Sequence, residues 1–109
     1  MEKRVFVRIS AFLSAKLFHD DFFCDIHIIN LSQNGIYFIA KEHLSSGLNI
    51  EIYIPLKSTE LKVPFKIVRM TEKIDNMHFR FGAKILSPSQ EYIKFIQGRV
   101  ALKIQKVIR

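Results

Sequence analysis

Two short clusters hold the residues best suited to bind a ligand. Arg4 and Arg8 stand in Arg4-Val5-Phe6-Val7-Arg8, an Arg-x-x-x-Arg spacing. Asn30, Ser32 and Gly35 fall within Asn30-Leu31-Ser32-Gln33-Asn34-Gly35, an Asn-x-Ser-x-x-Gly spacing at the end of an apolar segment. Arginine carries a planar fork of donors that can grip guanine O6 and N7, stack on a base or pair with phosphate. Asparagine and serine supply short polar groups. Glycine lets the backbone come close to a ligand. In this order, in a small basic chain, the two clusters suit a guanine-containing phosphodiester.

Catalytic chemistry finds less support. No nucleophile stands with a base and an orienting group, and no paired carboxylates are placed for acid–base work. The acidic residues scatter through turns and outer strand faces, so the chain is not expected to be an enzyme. Cys24-x-x-His27 offers two metal ligands without a second pair, and the four histidines form no ligand spacing. Neither a metal nor a cofactor is expected.

At 109 residues the chain has the size of one domain, and 49% hydrophobic content is enough for a core. A single cysteine, Cys24, allows no internal disulfide. The apolar stretches are strand-length and broken by charge, so neither a signal peptide nor a membrane span is expected, and the location expected is cytoplasmic. The formal net charge of +7 favours anionic partners.

The elements that must position the clusters read as strands. After a basic arm, residues 1–8, Ile9, Ala11, Leu13, Ala15 and Leu17 alternate with polar residues. His19-Asp20-Asp21 is a polar turn. Phe22, Cys24, Ile26 and Ile28 then alternate inward up to Ile29, where the Asn-x-Ser-x-x-Gly loop begins. A third strand covers Ile36 to Ala40. Leu48, Ile50, Ile52 and Ile54 form a fourth, stopped by Pro55. Leu61, Val63, Phe65 and Ile67 mark a fifth, in which Pro64 implies an edge or a bulge. Thr71 to Asn76 is polar, and Met77, Phe79 and Phe81 face inward in a sixth. Short links without intervening helices imply antiparallel pairing in a barrel or sandwich, residues 9–86.

The period then changes. Ser87 reads as an N-cap, Pro88 as the first helical residue and Gln90 as the capping-box partner. Ile93, Ile96, Val100, Ile104, Val107 and Ile108 recur at helical steps within residues 87–109. Arg99, Lys103 and Lys106 form a basic stripe, read as a solvated face. The apolar stripe beyond Gly98 is longer than a small barrel needs. An oligomer or partner interface is therefore expected at residues 99–109.

Strand order, basic arm and both clusters resemble the PilZ domain family, and the resemblance runs from residue 3 to about residue 97. Val68-Arg69 and Phe81-Gly82 also look similar to that family. The resemblance implies an all-β fold, a six-stranded antiparallel barrel with a C-terminal helix, and a single domain over residues 1–109. It also implies a receptor for the bacterial second messenger cyclic di-GMP. Carried over residue by residue, the ligand set would be Arg4, Arg8, Asn30, Ser32 and Gly35, extended by Lys3, Asn34 and Arg69. Asn34-Gly35 would supply a sharp turn tolerant of left-handed φ. Asn30 stands where Asp is commoner and has one acceptor oxygen instead of two. Lys3 stands where arginine is frequent, at a position that in the family influences whether one or two ligand molecules bind.

The expected mechanism is ordering of the 1–8 arm around the ligand, which passes the signal to a protein partner or another domain. Two other readings compete. One is an interaction module of the same fold that binds no ligand. The other is a small-barrel RNA or single-stranded DNA binder, which would need exposed aromatics on a strand face. Phe12 and Phe18 are the candidates for that platform. Most other phenylalanines fall on core positions, so a nucleic-acid partner is not expected.

Overall fold

A computed structural model describes the backbone of residues 9–108 and the side chains of residues 12–99. The elements, in chain order, are β1 (Ile9–His19), β2 (Phe22–Ser32), β3 (Gly35–Ala40), β4 (Asn49–Pro55), β5 (Glu60–Lys73), β6 (Phe79–Ile85) and α1 (Gln90–Ile108). The strands pair antiparallel and close into a barrel of order β1-β2-β3-β6-β5-β4. Closure runs through Lys16–Tyr53, Leu17–Ile52 and Phe18–Glu51, where β1 meets β4. It spares the sheet the exposed edges that invite aggregation.

Alternation explains the core. Leu17, Ile26, Ile28, Phe38, Ile52, Ile54, Phe65 and Phe81 point inward and are buried. Phe38 and Phe81 are direct cross-strand partners, and their rings stack with centroids 5.5 Å apart. Each such side chain contributes about 1.5–3 kcal/mol by leaving water. Asp20 and Asp21, with φ of 48° and 67°, make the left-handed two-residue turn that matches strand twist between β1 and β2.

Several local expectations need correction. Phe22 is exposed, not inward. The β2–β3 ladder starts only at Ile26–Ala40, so the first residues of β2 outrun the core they would cover. Met77 is likewise exposed. The Asp75 carboxylate accepts the Met77 and His78 amides, both at 2.8 Å, and this holds Met77 in a turn before β6 begins. Pro64 brings neither an edge nor a bulge. Its carbonyl accepts the Leu86 amide just past the end of β6. Its missing N–H therefore faces the place where that ladder stops.

The helix starts later than the capping pattern suggests. Ser89, not Ser87, is the N-cap, and its Oγ accepts the Tyr92 amide at 3.1 Å. This phase drives Tyr92 and Ile96 into the barrel's open end, where both are buried. The Tyr92 ring meets Phe65 edge-on, with centroids 6.1 Å apart. The Arg99 guanidinium lies 5.3 Å from the Phe95 ring centre, so this member of the basic stripe covers an aromatic ring. The side chains of the expected interface beyond Arg99 lie outside the described residues. Among the described residues no helix is long and apolar enough to cross a membrane.

Cys24 is half-buried. Burial, with smaller contributions from Glu42 and Asp25, pushes its thiol up to about 11. Because the thiolate is the reactive form, iodoacetamide at pH 8 should label the native protein slowly and the denatured protein fast. Equal rates in both states would contradict this placement.

Candidate functional site

Asn30, the first polar residue of the second cluster, faces outward because of an irregularity in β2. Simple alternation from Ile26 and Ile28 would drive Asn30 and Ser32 into the core. Instead, Ile28 pairs with Phe38 and Asn30 pairs with Tyr37, the next residue back along β3. The extra residue, Ile29, is a β-bulge. It shifts the phase of β2, so Leu31 is buried while Asn30 is only partly covered. Re-aiming a side chain is a common use of bulges.

β5 repeats the device. Ile67 pairs with Ala83, and Arg69 pairs with Gly82. Val68 is the extra residue here. Without it Arg69 would follow Leu61, Val63, Phe65 and Ile67 inward; with it, Arg69 is exposed.

The register then sets these residues on one row. Ser10 pairs with Asn30, Asn30 with Tyr37, Tyr37 with Gly82, and Gly82 with Arg69. Cross-strand partners share a face of the sheet, so Asn30, Tyr37 and Arg69 all point out of the barrel. Gly82 makes the row possible. A Cβ there would sit 2.9 Å from the Tyr37 ring, so the ring can lie flat across β6 only over a glycine. The adjacent row reads Ser32, Gly35, Lys84, Lys66 and adds two exposed cations.

Between these rows lies an open groove of about 330 Å³, lined by residues that include Asn34, Gly35, Tyr37, Arg69, Gly82 and Lys84. Its floor is aromatic and its rim carries two cations. Such a surface can stack a planar group and neutralise an anion.

The hairpin turn at one end of the groove is braced from within. Ser32 is buried. Its hydroxyl donates to Asn34 Oδ1 at 2.5 Å, with the Gly35 carbonyl at 3.2 Å as a second acceptor. Gly35 is required here for close approach, not for left-handed backbone as the sequence suggests. Among the described glycines only Gly47 has positive φ. A Cβ on Gly35 would instead overlap the Ala83 carbonyl oxygen. From the far side, the Tyr92 hydroxyl donates to the Ser32 carbonyl at 2.7 Å.

The structure therefore brings together Asn30, Ser32, Asn34, Gly35 and Arg69 of the expected set. Lys3, Arg4 and Arg8 lie outside the described residues. Ile9, to which Arg8 is joined, pairs with Leu31 inside the second cluster. Cys24 and His27 gather no third metal-type ligand, and no such group of three occurs among the described residues.

A family model described as the PilZ domain matches residues 2–101. The chain belongs to the PilZ domain family. Its fold agrees with solved PilZ structures. Against the PilZ domain of YcgR from Escherichia coli, solved with c-di-GMP, the TM-score is 0.73 at 17% identity, covering 99% of this chain and 95% of that one. Against the inhibitor of motility MotI/DgrA from Bacillus subtilis it is 0.76 at 16% identity over 97% of this chain. This chain spans about half of MotI, 54% of its length. The PilZ domain of CeSA from a cellulose-synthesizing bacterium gives 0.63 at 20% identity over 84% of this chain. No curated protein matches the chain.

Sequence reasoning missed three residues of this PilZ surface: Tyr37, Gly82 as the seat of its ring, and Lys84. A signal for the geometry was present. The apolar doublets Ile28-Ile29 and Ile67-Val68 each break strict alternation just before a polar residue. A doublet of that kind marks a phase shift.

Proposed function

We propose that this PilZ chain is a non-enzymatic receptor for cyclic di-GMP. The observation that carries the reading is the outward row Asn30–Tyr37–Arg69, built by two bulges beside the family's second motif. YcgR's PilZ domain is described with c-di-GMP, which supports the same ligand here.

Each part of the site has a chemical task. Asn30 offers an acceptor and donors to a guanine edge. The Tyr37 ring offers a face for stacking, worth roughly 1–3 kcal/mol per base. Arg69 and Lys84 offer charge to a phosphate. Arg4 and Arg8 approach from the arm, which is anchored opposite Leu31 through Ile9. Ser32 and Gly35 fix the hairpin geometry on which those contacts depend. Binding orders the 1–8 arm over the groove and gives a partner protein or domain a surface to read.

Competition binding tests the specificity. Unlabelled cyclic di-GMP should displace a fluorescent analogue, whereas GMP, GTP and cyclic di-AMP should not at roughly 100-fold excess, a gap of about 2.7 kcal/mol. Adenine lacks guanine's O6 acceptor and N1/N2 donors, so displacement by cyclic di-AMP at equal concentration would overturn the guanine assignment.

A further inference from the structure

The C-terminal helix enters the ligand site through one hydroxyl. Tyr92 is fully buried at the barrel's open end. Its Oη donates to the Ser32 carbonyl at 2.7 Å across 60 residues of sequence. Burial holds the phenol well above its usual range, so the group is a permanent donor at any physiological pH. Ser32 is itself buried, and its own hydroxyl holds Asn34 and Gly35. A chain of bonds thus runs from the first turn of α1, through the Ser32 peptide, to two residues that line the groove.

We infer that Tyr92 is a positioning residue for the ligand-binding hairpin, and that α1 is part of the site's support. The inference rests on the reading of the groove as the cyclic di-GMP site. The ring and the hydroxyl have separable tasks. The ring packs against Phe65 and closes the barrel. The hydroxyl satisfies a buried carbonyl and fixes the plane of the Ser32–Gln33 peptide, which sets where Asn34 and Gly35 stand. The capping bond from the Tyr92 amide to Ser89 Oγ fixes the start of the helix, so the hydroxyl's position is set from both ends.

The test uses the full chain with two substitutions. Tyr92→Phe removes the hydroxyl and keeps the ring. Ile96→Val trims another buried residue of the same helix without touching Ser32. Amide hydrogen exchange is measured at Gln33, Asn34 and Gly35 without ligand, and cyclic di-GMP affinity is measured where both variants remain folded. Tyr92→Phe should speed exchange at these three amides and lower affinity, each about 5- to 10-fold, the effect of losing one buried hydrogen bond. Ile96→Val should leave both within about 2-fold, because it alters only packing. Equal effects from the two variants, or hairpin exchange unchanged in Tyr92→Phe, would overturn the positioning role. The exchange arm needs no ligand. Faster hairpin exchange in Tyr92→Phe beside a wild type that binds no cyclic di-GMP would uphold the positioning role and reject the ligand.

Discussion

Replacing Gly35 by alanine is expected to damage fold and site together. The added methyl would overlap the Ala83 carbonyl oxygen, a backbone atom held in the β3–β6 ladder, with no flexible side chain to move aside. Forced overpacking of this kind costs about 1–3 kcal/mol, and each kcal/mol lowers the melting temperature of a domain this size by roughly 4–8 °C. Moving β3 off β6 would also shift Tyr37 and Lys84, so ligand binding should fall with stability. Gly98→Ala is the control: nothing lies within 4 Å of a Cβ there. It should be neutral or stabilising, by up to about 1 kcal/mol, because glycine is a poor helix former. Thermal melts of the two variants check the contrast. A Gly35→Ala protein as stable as Gly98→Ala would contradict the close approach of β3 to β6 at Gly35.

The second large effect is expected at the arm. Arg8→Ala or Arg4→Ala should remove charge-assisted hydrogen bonds to the ligand, worth about 1.5–3 kcal/mol each, or roughly 10- to 150-fold in affinity. Both residues precede Ile9, where the barrel begins, so the melting temperature without ligand should hardly move. Ser32→Ala should differ in kind. Its hydroxyl is buried in the hairpin, so it should lower stability as well as affinity. Wild-type affinity in Arg8→Ala would remove the arm from the site.

The barrel was legible because alternation works wherever one face is buried. Ala15 and Leu17, Ile50 to Ile54, and Leu61 to Ile67 each landed on the expected face. Alternation failed where its premise failed. Phe22 and Met77 lie beyond the ladder that would bury them. The helix cap moved to Ser89 because the helix phase is set by burial of Tyr92 and Ile96, which weighs more than an upstream Ser-Pro pattern.

The candidate site was legible in its residues and not in its geometry. Asn30, Ser32 and Gly35 could be picked by type and spacing. Their tasks differ from what type suggests, since Ser32 braces the turn and Gly35 clears a carbonyl. The groove itself depends on the register of four strands. Asn30, Tyr37, Gly82 and Arg69 are distant in sequence and fall on one row only because the β2 bulge aligns Asn30 with Tyr37 and the β5 bulge aligns Arg69 with Gly82. The Tyr92–Ser32 bond spans 60 residues and has no local signal at all.

Whether the groove is a cyclic di-GMP site is decided by calorimetric titration of the wild-type chain with that ligand. Saturable binding is expected, with a dissociation constant at or below tens of micromolar, about −6 kcal/mol or better, that weakens as salt screens the cationic rim. A folded protein that releases no heat and shows no binding by a second method at about 100 µM ligand, roughly −5.5 kcal/mol, would contradict it.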